Sequence, residues 1–161
     1  METWLIPILV VKSNGMKSLL CCLSLLPLLM LGQTQNVDEK NIALNGYDPV
    51  SYFTQTTPVK GNAHYTATWE GAIYHFSSIE NKAVFEQNPA QYAPQYGGWC
   101  AYAMAKNKMV EINPKAFRIE NNKLYLFYKT RWVDTHQKWG ERAEELREKA
   151  DVNWQKRTPK E

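Results

Sequence analysis

The chain has 161 residues, which is room for one domain of ordinary size with a targeting segment or tail. Its formal net charge of +3 is mild, and its Lys and Arg residues do not gather into one block, so nucleic acid is excluded as an expected partner. The sequence has no phosphate loop, nucleophile elbow, His-Glu-x-x-His motif or dinucleotide fingerprint, so an enzyme is not predicted.

The N-terminal part of the chain has the organisation of a secretory signal. Lys17 precedes an apolar run from Leu19 to Leu31, and small and polar residues follow it. The run has the length of a signal-peptide core and is shorter than the roughly 20 apolar residues of a membrane-spanning helix. We expect translation to start at Met16 and residues 1–32 to be removed. The mature protein is then exported, periplasmic or secreted, and does not span a membrane; an uncleaved membrane anchor is the alternative.

The mature chain is expected to begin with a flexible polar tail at residues 33–42 and to continue into a domain at 43–128. Residues 50–53 follow a turn signal and predict a short strand. Residues 63–76 alternate as the two strands of a hairpin do, with the turn at Glu70-Gly71.

A capping box, Ser77-x-x-Glu80, predicts a helix of about ten residues that ends before Pro89. This helix is expected to bury its apolar side chains, namely Ile79, Ala83, Val84 and Phe85.

The second half of the domain predicts a short helix after Gly97-Gly98 and strands at 109–112, 117–119 and 124–128. A long amphipathic helix is predicted over 130–152, within a C-terminal element at 129–161 that packs on the domain. Its apolar stripe consists of Trp132, His136, Trp139, Ala143, Leu146 and Ala150. The predicted fold class is α+β: a small antiparallel sheet (hairpin 63–76 plus strands near 109–128) with short helices and this long helix.

Several spaced motifs occur together in one order. They are Gly46-Tyr47-Asp48-Pro49-Val50-Ser51-Tyr52-Phe53, Tyr74-His75-Phe76-Ser77-Ser78, Phe85, Asn88-Pro89, Tyr92 and Gly97-Gly98-Trp99-Cys100-Ala101-Tyr102-Ala103. In this combination the chain resembles the YHS domain family, closest to its exported, stand-alone bacterial branch. The resemblance implies a compact α+β fold and a role in binding heavy metals, copper above all.

The thiolate ligands of the family do not carry over to this chain. Relatives attached to metal-transporting ATPases have thiolates after Asp-Pro-Val and in a Cys-Ser-x-x-Cys segment after Tyr-His-Phe, where soft sulfur selects Cu(I) and zinc. The matching positions here are Ser51, Ser77 and Asn81, which are poor ligands for soft metals.

Cys100 is the first of four other candidate metal ligands. Cys21 and Cys22 lie in the expected signal, so Cys100 is the only thiol of the mature chain and no intramolecular disulfide can form. It follows two glycines, where exposed helix amides favour a thiolate. The alternative is a small buried residue in an Ala-rich packing site.

The remaining candidates are His75, His64 and Met104. The two histidines form arms of one surface site if the hairpin register pairs them, and otherwise are ordinary surface histidines. Met104 either supplies a thioether beside Cys100 or fills the core. His136, in the apolar stripe, is interpreted as a core histidine.

We expect an exported protein that binds or handles a heavy metal, copper first, in the cell envelope. The alternative is a module that has lost the thiolate site and binds a small ligand or another protein. A buried Cys100, together with an aromatic-lined pocket that has no converging His or Cys, favours this alternative.

Overall fold

The computed structural model describes residues 34–55 and 57–159. The predicted signal at 1–32 and the predicted start at Met16 lie outside the described residues. Among the helices of the described part, none combines the length and the apolar character needed to cross a membrane.

Two antiparallel hairpins and six helices make up the described fold, which confirms the α+β prediction. In the first hairpin, β1 (Asn62–Trp69) pairs with β2 (Ala72–Phe76); in the second, β3 (Asn113–Glu120) pairs with β4 (Lys123–Phe127). The hairpins are two separate two-stranded sheets rather than one. The helices are α1 (Ser51–Thr54), α2 (Ile79–Gln87), α3 (Pro89–Tyr92), α4 (Ala101–Met104), α5 (Thr135–Gly140) and α6 (Ala143–Arg157), and short 3-10 turns occupy Leu44–Gly46 and Gln95–Gly98.

Strand β4 is buried on both faces and separates two clusters of the core. Leu124 and Leu126 belong to one cluster, and Tyr125 and Phe127 to the other, because successive side chains of a strand point to opposite faces. The first cluster includes Val50, Tyr52, Tyr74, Phe76 and Phe85. The second includes Tyr96, Met104, Trp139, Leu146 and Ala150.

Residues 51–54 form helix α1, so the prediction of a strand at 50–53 is wrong. The Asp48 carboxylate accepts hydrogen bonds from the backbone N–H of Val50 at 2.9 Å and of Ser51 at 3.3 Å. An acidic side chain that binds the free amides of a first turn favours a helix over an extended strand.

Helix α2 begins one residue later than predicted, with Ser78 rather than Ser77 as its N-cap. The Ser78 hydroxyl accepts a hydrogen bond from the Asn81 N–H at 3.2 Å. Of the four side chains expected to be buried, only Phe85 is buried, whereas Ile79 is 52 % exposed. The helix packs on the first hairpin through Phe85, whose ring centroid lies 4.9 Å from that of Tyr74 and 5.1 Å from that of Phe76.

The strand predicted at 109–112 is also wrong, because β3 begins at Asn113. The carbonyl of Val110 accepts a hydrogen bond from the Cys100 N–H at 3.0 Å, which ties this segment to α4 instead of to a sheet. The strand predicted at 117–119 lies inside β3.

Two helices replace the single long helix predicted over 130–152. Helix α5 begins only after Asp134, whose carboxylate accepts from the Gln137 N–H at 3.1 Å, and α6 begins after Arg142. Trp139, Leu146 and Ala150 of the predicted stripe are buried as expected.

Trp132 departs from that stripe and is 85 % exposed. The Thr130 hydroxyl accepts hydrogen bonds from the N–H groups of Trp132 and Val133, which holds these residues in a turn before α5. The turn points the indole away from the core.

Residues 34–42, predicted as a flexible tail, lie against the domain. The Asn36 N–H donates to the Gly97 carbonyl at 2.8 Å, and the Trp99 indole N–H donates to the Thr34 carbonyl at 3.0 Å. Gly97 has φ +60°, and a Cβ atom there would lie 2.6 Å from the Thr34 oxygen and 2.9 Å from the Trp154 ring. Only glycine allows this close approach.

Gly97→Ala is therefore expected to destabilise the protein more than Gly71→Ala. Both glycines have positive φ, but a Cβ atom at Gly71 meets nothing within 4 Å. The control should cost about 1 kcal/mol for the left-handed backbone, and Gly97→Ala about 1–3 kcal/mol more for the collision. Urea unfolding of both variants measures the difference, and equal losses would show that the N-terminal segment is not wedged against Gly97.

Candidate functional site

Ser51, Ser77 and Asn81, which the resemblance aligned with thiolate ligands, meet around buried Asp48. Its Oδ2 accepts hydrogen bonds from the Ser77 N–H at 2.8 Å, the Ser77 hydroxyl at 2.6 Å and the Asn81 side-chain amide at 2.6 Å. Ser51 donates its hydroxyl to the Asp48 carbonyl at 2.7 Å and accepts from the Val59 N–H at 3.0 Å. Asp48 itself is fully buried.

This Asp48 network joins α1, the end of β2 and α2. With the Val50 and Ser51 amides at the start of α1, five donors compensate for the burial of one carboxylate. Asn81 turns its NH₂ group, not its oxygen, toward the centre, and each hydroxyl already has a protein partner. These residues do not fit a soft-metal site. Their hydrogen bonds connect three elements and stabilise the fold instead.

The Cys100 thiol is buried and hydrogen-bonded inside the protein. Its residue is fully buried, and its sulfur accepts a hydrogen bond from the Tyr128 N–H at 3.2 Å. The same sulfur lies 3.4 Å from the Thr135 hydroxyl, which donates to the Tyr128 carbonyl at 2.6 Å. Helix α5 therefore covers the sulfur.

The register of the first hairpin does not pair the two candidate histidines. His75 lies opposite Thr66, and a register shift between Asn62 and Thr66 separates His64 from that pairing. His64 is exposed and His75 is half-buried. A Cβ atom on Gly46 would lie 3.5 Å from His75 Nδ1 and 3.7 Å from Lys60 Nζ, so an ammonium shares this corner with the imidazole.

Met104 and His136 both contribute to packing. Met104 is fully buried in the second core cluster. The His136 ring lies edge-on to Phe127 at 5.4 Å, and burial, followed by the charge of Arg118, lowers its pKa. Within residues 34–55 and 57–159, no group of three or more His, Cys, Asp or Glu side chains is arranged to hold a metal ion.

A groove of about 690 Å³ lies at the seam between the two core clusters. This volume is within the range of small-molecule sites. Its walls come from the β1–β2 hairpin, from α3 and the 3-10 turn at Gln95–Gly98, from the start of β4, from helix α6 and from the N-terminal segment. Among the described residues that line it, none is His or Cys, and the main side chains are Gln35, Trp69, Glu70, Tyr74, Tyr96, Lys123, Asp151 and Trp154.

Tyr96 holds one carboxylate of this groove. Its hydroxyl donates to Asp151 Oδ1 at 2.8 Å. Burial, followed by this hydrogen bond, raises the pKa of Tyr96 above its ordinary value, so the phenol keeps its proton and remains a donor at neutral pH. Tyr96 also has φ +56°, a left-handed conformation that is rare for a side chain of this size. Such strain is found most often at binding and active sites.

The second carboxylate of the groove belongs to Glu70, which lies in the tight turn between β1 and β2. Glu70 and Gly71 have φ +47° and +79°, the pattern of a turn in which Asn or Gly is preferred at the first position. The Gln35 side-chain amide donates to Glu70 Oε2 at 3.0 Å and fixes the carboxylate at the edge of the groove.

Residues 50–96 match the sequence pattern of the YHS domain. The chain carries a YHS domain. This match confirms the family predicted from the sequence, and the family is often linked to the handling of heavy metals, copper among them. No curated protein and no solved structure matches the chain.

The groove is built partly from the YHS domain and partly from α6. Trp69, Glu70 and Tyr96 lie within the matched residues, whereas Asp151 and Trp154 follow them. The sequence predicted Glu70 as a turn residue, and Trp69 and Trp154 as core or helix-docking residues with a stacking pocket for a ligand as the alternative. Their convergence depends on how α6 lies on the domain, which neither spacing nor periodicity reveals.

Ser77→Ala is expected to lower the free energy of unfolding by about 2 kcal/mol, because it removes a hydrogen bond to a buried carboxylate. Ser78→Ala is the matched comparison, since it removes only the cap of α2 and should cost about 1 kcal/mol. Chemical denaturation of both variants distinguishes the roles of the two serines. A smaller loss of unfolding free energy in Ser77→Ala than in Ser78→Ala would show that the Asp48 network does not stabilise the fold.

Proposed function

We propose that this chain is an exported YHS-domain protein that binds a small organic molecule in the groove. The observation that carries the proposal is the convergence of two half-buried indoles, Trp69 and Trp154, and a positioned carboxylate, Asp151, on one cavity. The lining of the groove is about equally polar and apolar, and a few placed polar groups fix the orientation of a ligand in a small-molecule site.

The state of the former thiolate positions supports this proposal. Ser51, Ser77 and Asn81 use their polar groups within the Asp48 network, and Cys100 is covered by α5. In the groove, by contrast, the polar groups of Glu70, Lys123 and Asp151 line a cavity. Export rests on the apolar run after Lys17, and the N-terminal sequence of the mature protein recovered outside the cytoplasm tests it.

A screen of small organic compounds against the mature protein, followed by amide chemical shifts in NMR spectra, tests the groove. We expect shifts at the groove residues and about a tenfold loss of affinity in Trp69→Leu, because an aromatic contact contributes about 1 kcal/mol or more. Trp132→Leu is the control, since that indole is exposed outside the groove. Binding that maps elsewhere, or an equal loss in both variants, would contradict the proposal.

Copper handling is a second candidate, favoured by the family match. Its candidate ligands are Cys100 with His75, His64 or Met104. Because Cys100 and Met104 are buried, copper binding through sulfur requires α5 to move away from the Cys100 sulfur.

Metal analysis of the mature protein after exposure to copper and zinc tests this second candidate. We expect no stoichiometric metal in the native protein, and labelling of Cys100 by a thiol reagent only at the rate of unfolding, because the sulfur is both covered and hydrogen-bonded. Bound copper that disappears in Cys100→Ser would establish metal handling instead. Bound copper that persists in that variant would assign it to the histidines.

A further inference from the structure

The ligand of the groove can be assigned a chemical class. Resting on the proposed small-molecule function, we infer that the groove binds an organic cation, a compound with an ammonium group on a small apolar body. The aromatic walls would face the apolar body and the ammonium, and the carboxylates of Glu70 and Asp151 would balance its charge.

The charges of the groove favour a cation over an anion. Glu70 and Asp151 contribute two negative charges, and Lys123, the first residue of β4, contributes one positive charge; all three residues are exposed at the edge of the groove. The two carboxylates are positioned before any ligand arrives, one by the Gln35 amide and the other by the Tyr96 phenol. Preorganised groups lose less entropy when a ligand binds.

The indoles of the groove differ from other aromatic rings of the protein. Lys60 lies over Tyr47, Lys106 over Tyr102 and Arg131 over Trp132, each cation within about 5 Å of the ring centroid. In the described part of the chain, no Lys or Arg lies over Trp69 or Trp154 in this way. Trp is the side chain with the strongest attraction for a cation, and recognition of quaternary ammonium groups uses such rings.

A metal cation is a poorer match for the same groove. Glu70 and Asp151 project from different walls, and neither belongs to a group of three acidic or imidazole side chains in the described residues. Divalent cations such as Ca²⁺ require six to eight oxygen ligands, or retain several waters. The groove offers two indoles and two separated carboxylates instead.

The conformation of Glu70 supports a binding role. A hairpin turn of this type favours Asn or Gly at the position that Glu70 occupies with positive φ. Glu70→Asn is therefore expected to keep or raise the melting temperature while removing a charge from the groove. A residue that is unfavourable for its turn but suited to a ligand is the combination that strained binding sites show.

Calorimetric titration of the mature protein tests the class with two compounds of nearly equal shape. Choline is the cation, and dimethylbutanol, in which a quaternary carbon replaces the nitrogen, is its neutral isostere. We expect choline to bind at least tenfold more tightly. Asp151→Asn and Glu70→Asn should each weaken choline about tenfold and leave the isostere unchanged, whereas Glu148→Gln, on the same helix outside the groove, should change neither.

The outcomes separate the class of ligand from the existence of the site. Equal binding of both compounds, or choline binding that survives both carboxylate substitutions, would overturn the cation assignment and leave the groove as a site for neutral molecules. Failure of choline to bind while other compounds from the screen shift the groove resonances would also overturn the class alone. If no compound of any kind binds there, the proposed function fails with it.

Discussion

The burial of strand β4 on both faces is the constraint on which this fold depends. A two-stranded hairpin is marginally stable by itself, and β4 becomes a central element because the first hairpin with α2 covers one face and α4, α5 and α6 cover the other. The chain thus builds two small cores that share one strand. Tyr125 and Trp139, whose ring centroids are 5.6 Å apart, lie at the centre of the second.

The groove is a consequence of this division. Two cores that meet along a single strand leave a seam where their outer elements do not fill the space, and the 3-10 turn with Tyr96 and Gly97 crosses it. The N-terminal segment and α6 border the seam without closing it. Tyr74 and Tyr96 belong to the cores as well as to the groove, so only the exposed groups at its edge, Glu70, Lys123 and Asp151, can change without disturbing either core.

The sequence predicted the fold class, the first hairpin turn and the family, because these depend on local patterns such as alternation, turn residues and spaced motifs. It did not predict α1, because the deciding interactions are hydrogen bonds from the backbone to the Asp48 carboxylate, which a turn signal before residue 50 does not reveal. The prediction of one long C-terminal helix was wrong for a similar reason. Side-chain hydrogen bonds of Thr130 and Asp134 form a turn and a helix start there, and periodicity does not reveal such bonds. The groove residues were missed because Tyr96 and Asp151 meet across 55 positions of sequence.

The position of the Cys100 sulfur has a consequence under the proposed export. In an oxidising compartment an accessible thiol is a site for crosslinking between chains. Here the thiol becomes protected only when α5 closes over it and the Tyr128 amide binds it. A chain whose C-terminal helices have not yet packed on the domain is therefore open to oxidation at Cys100. In the folded protein the thiol is buried and protected.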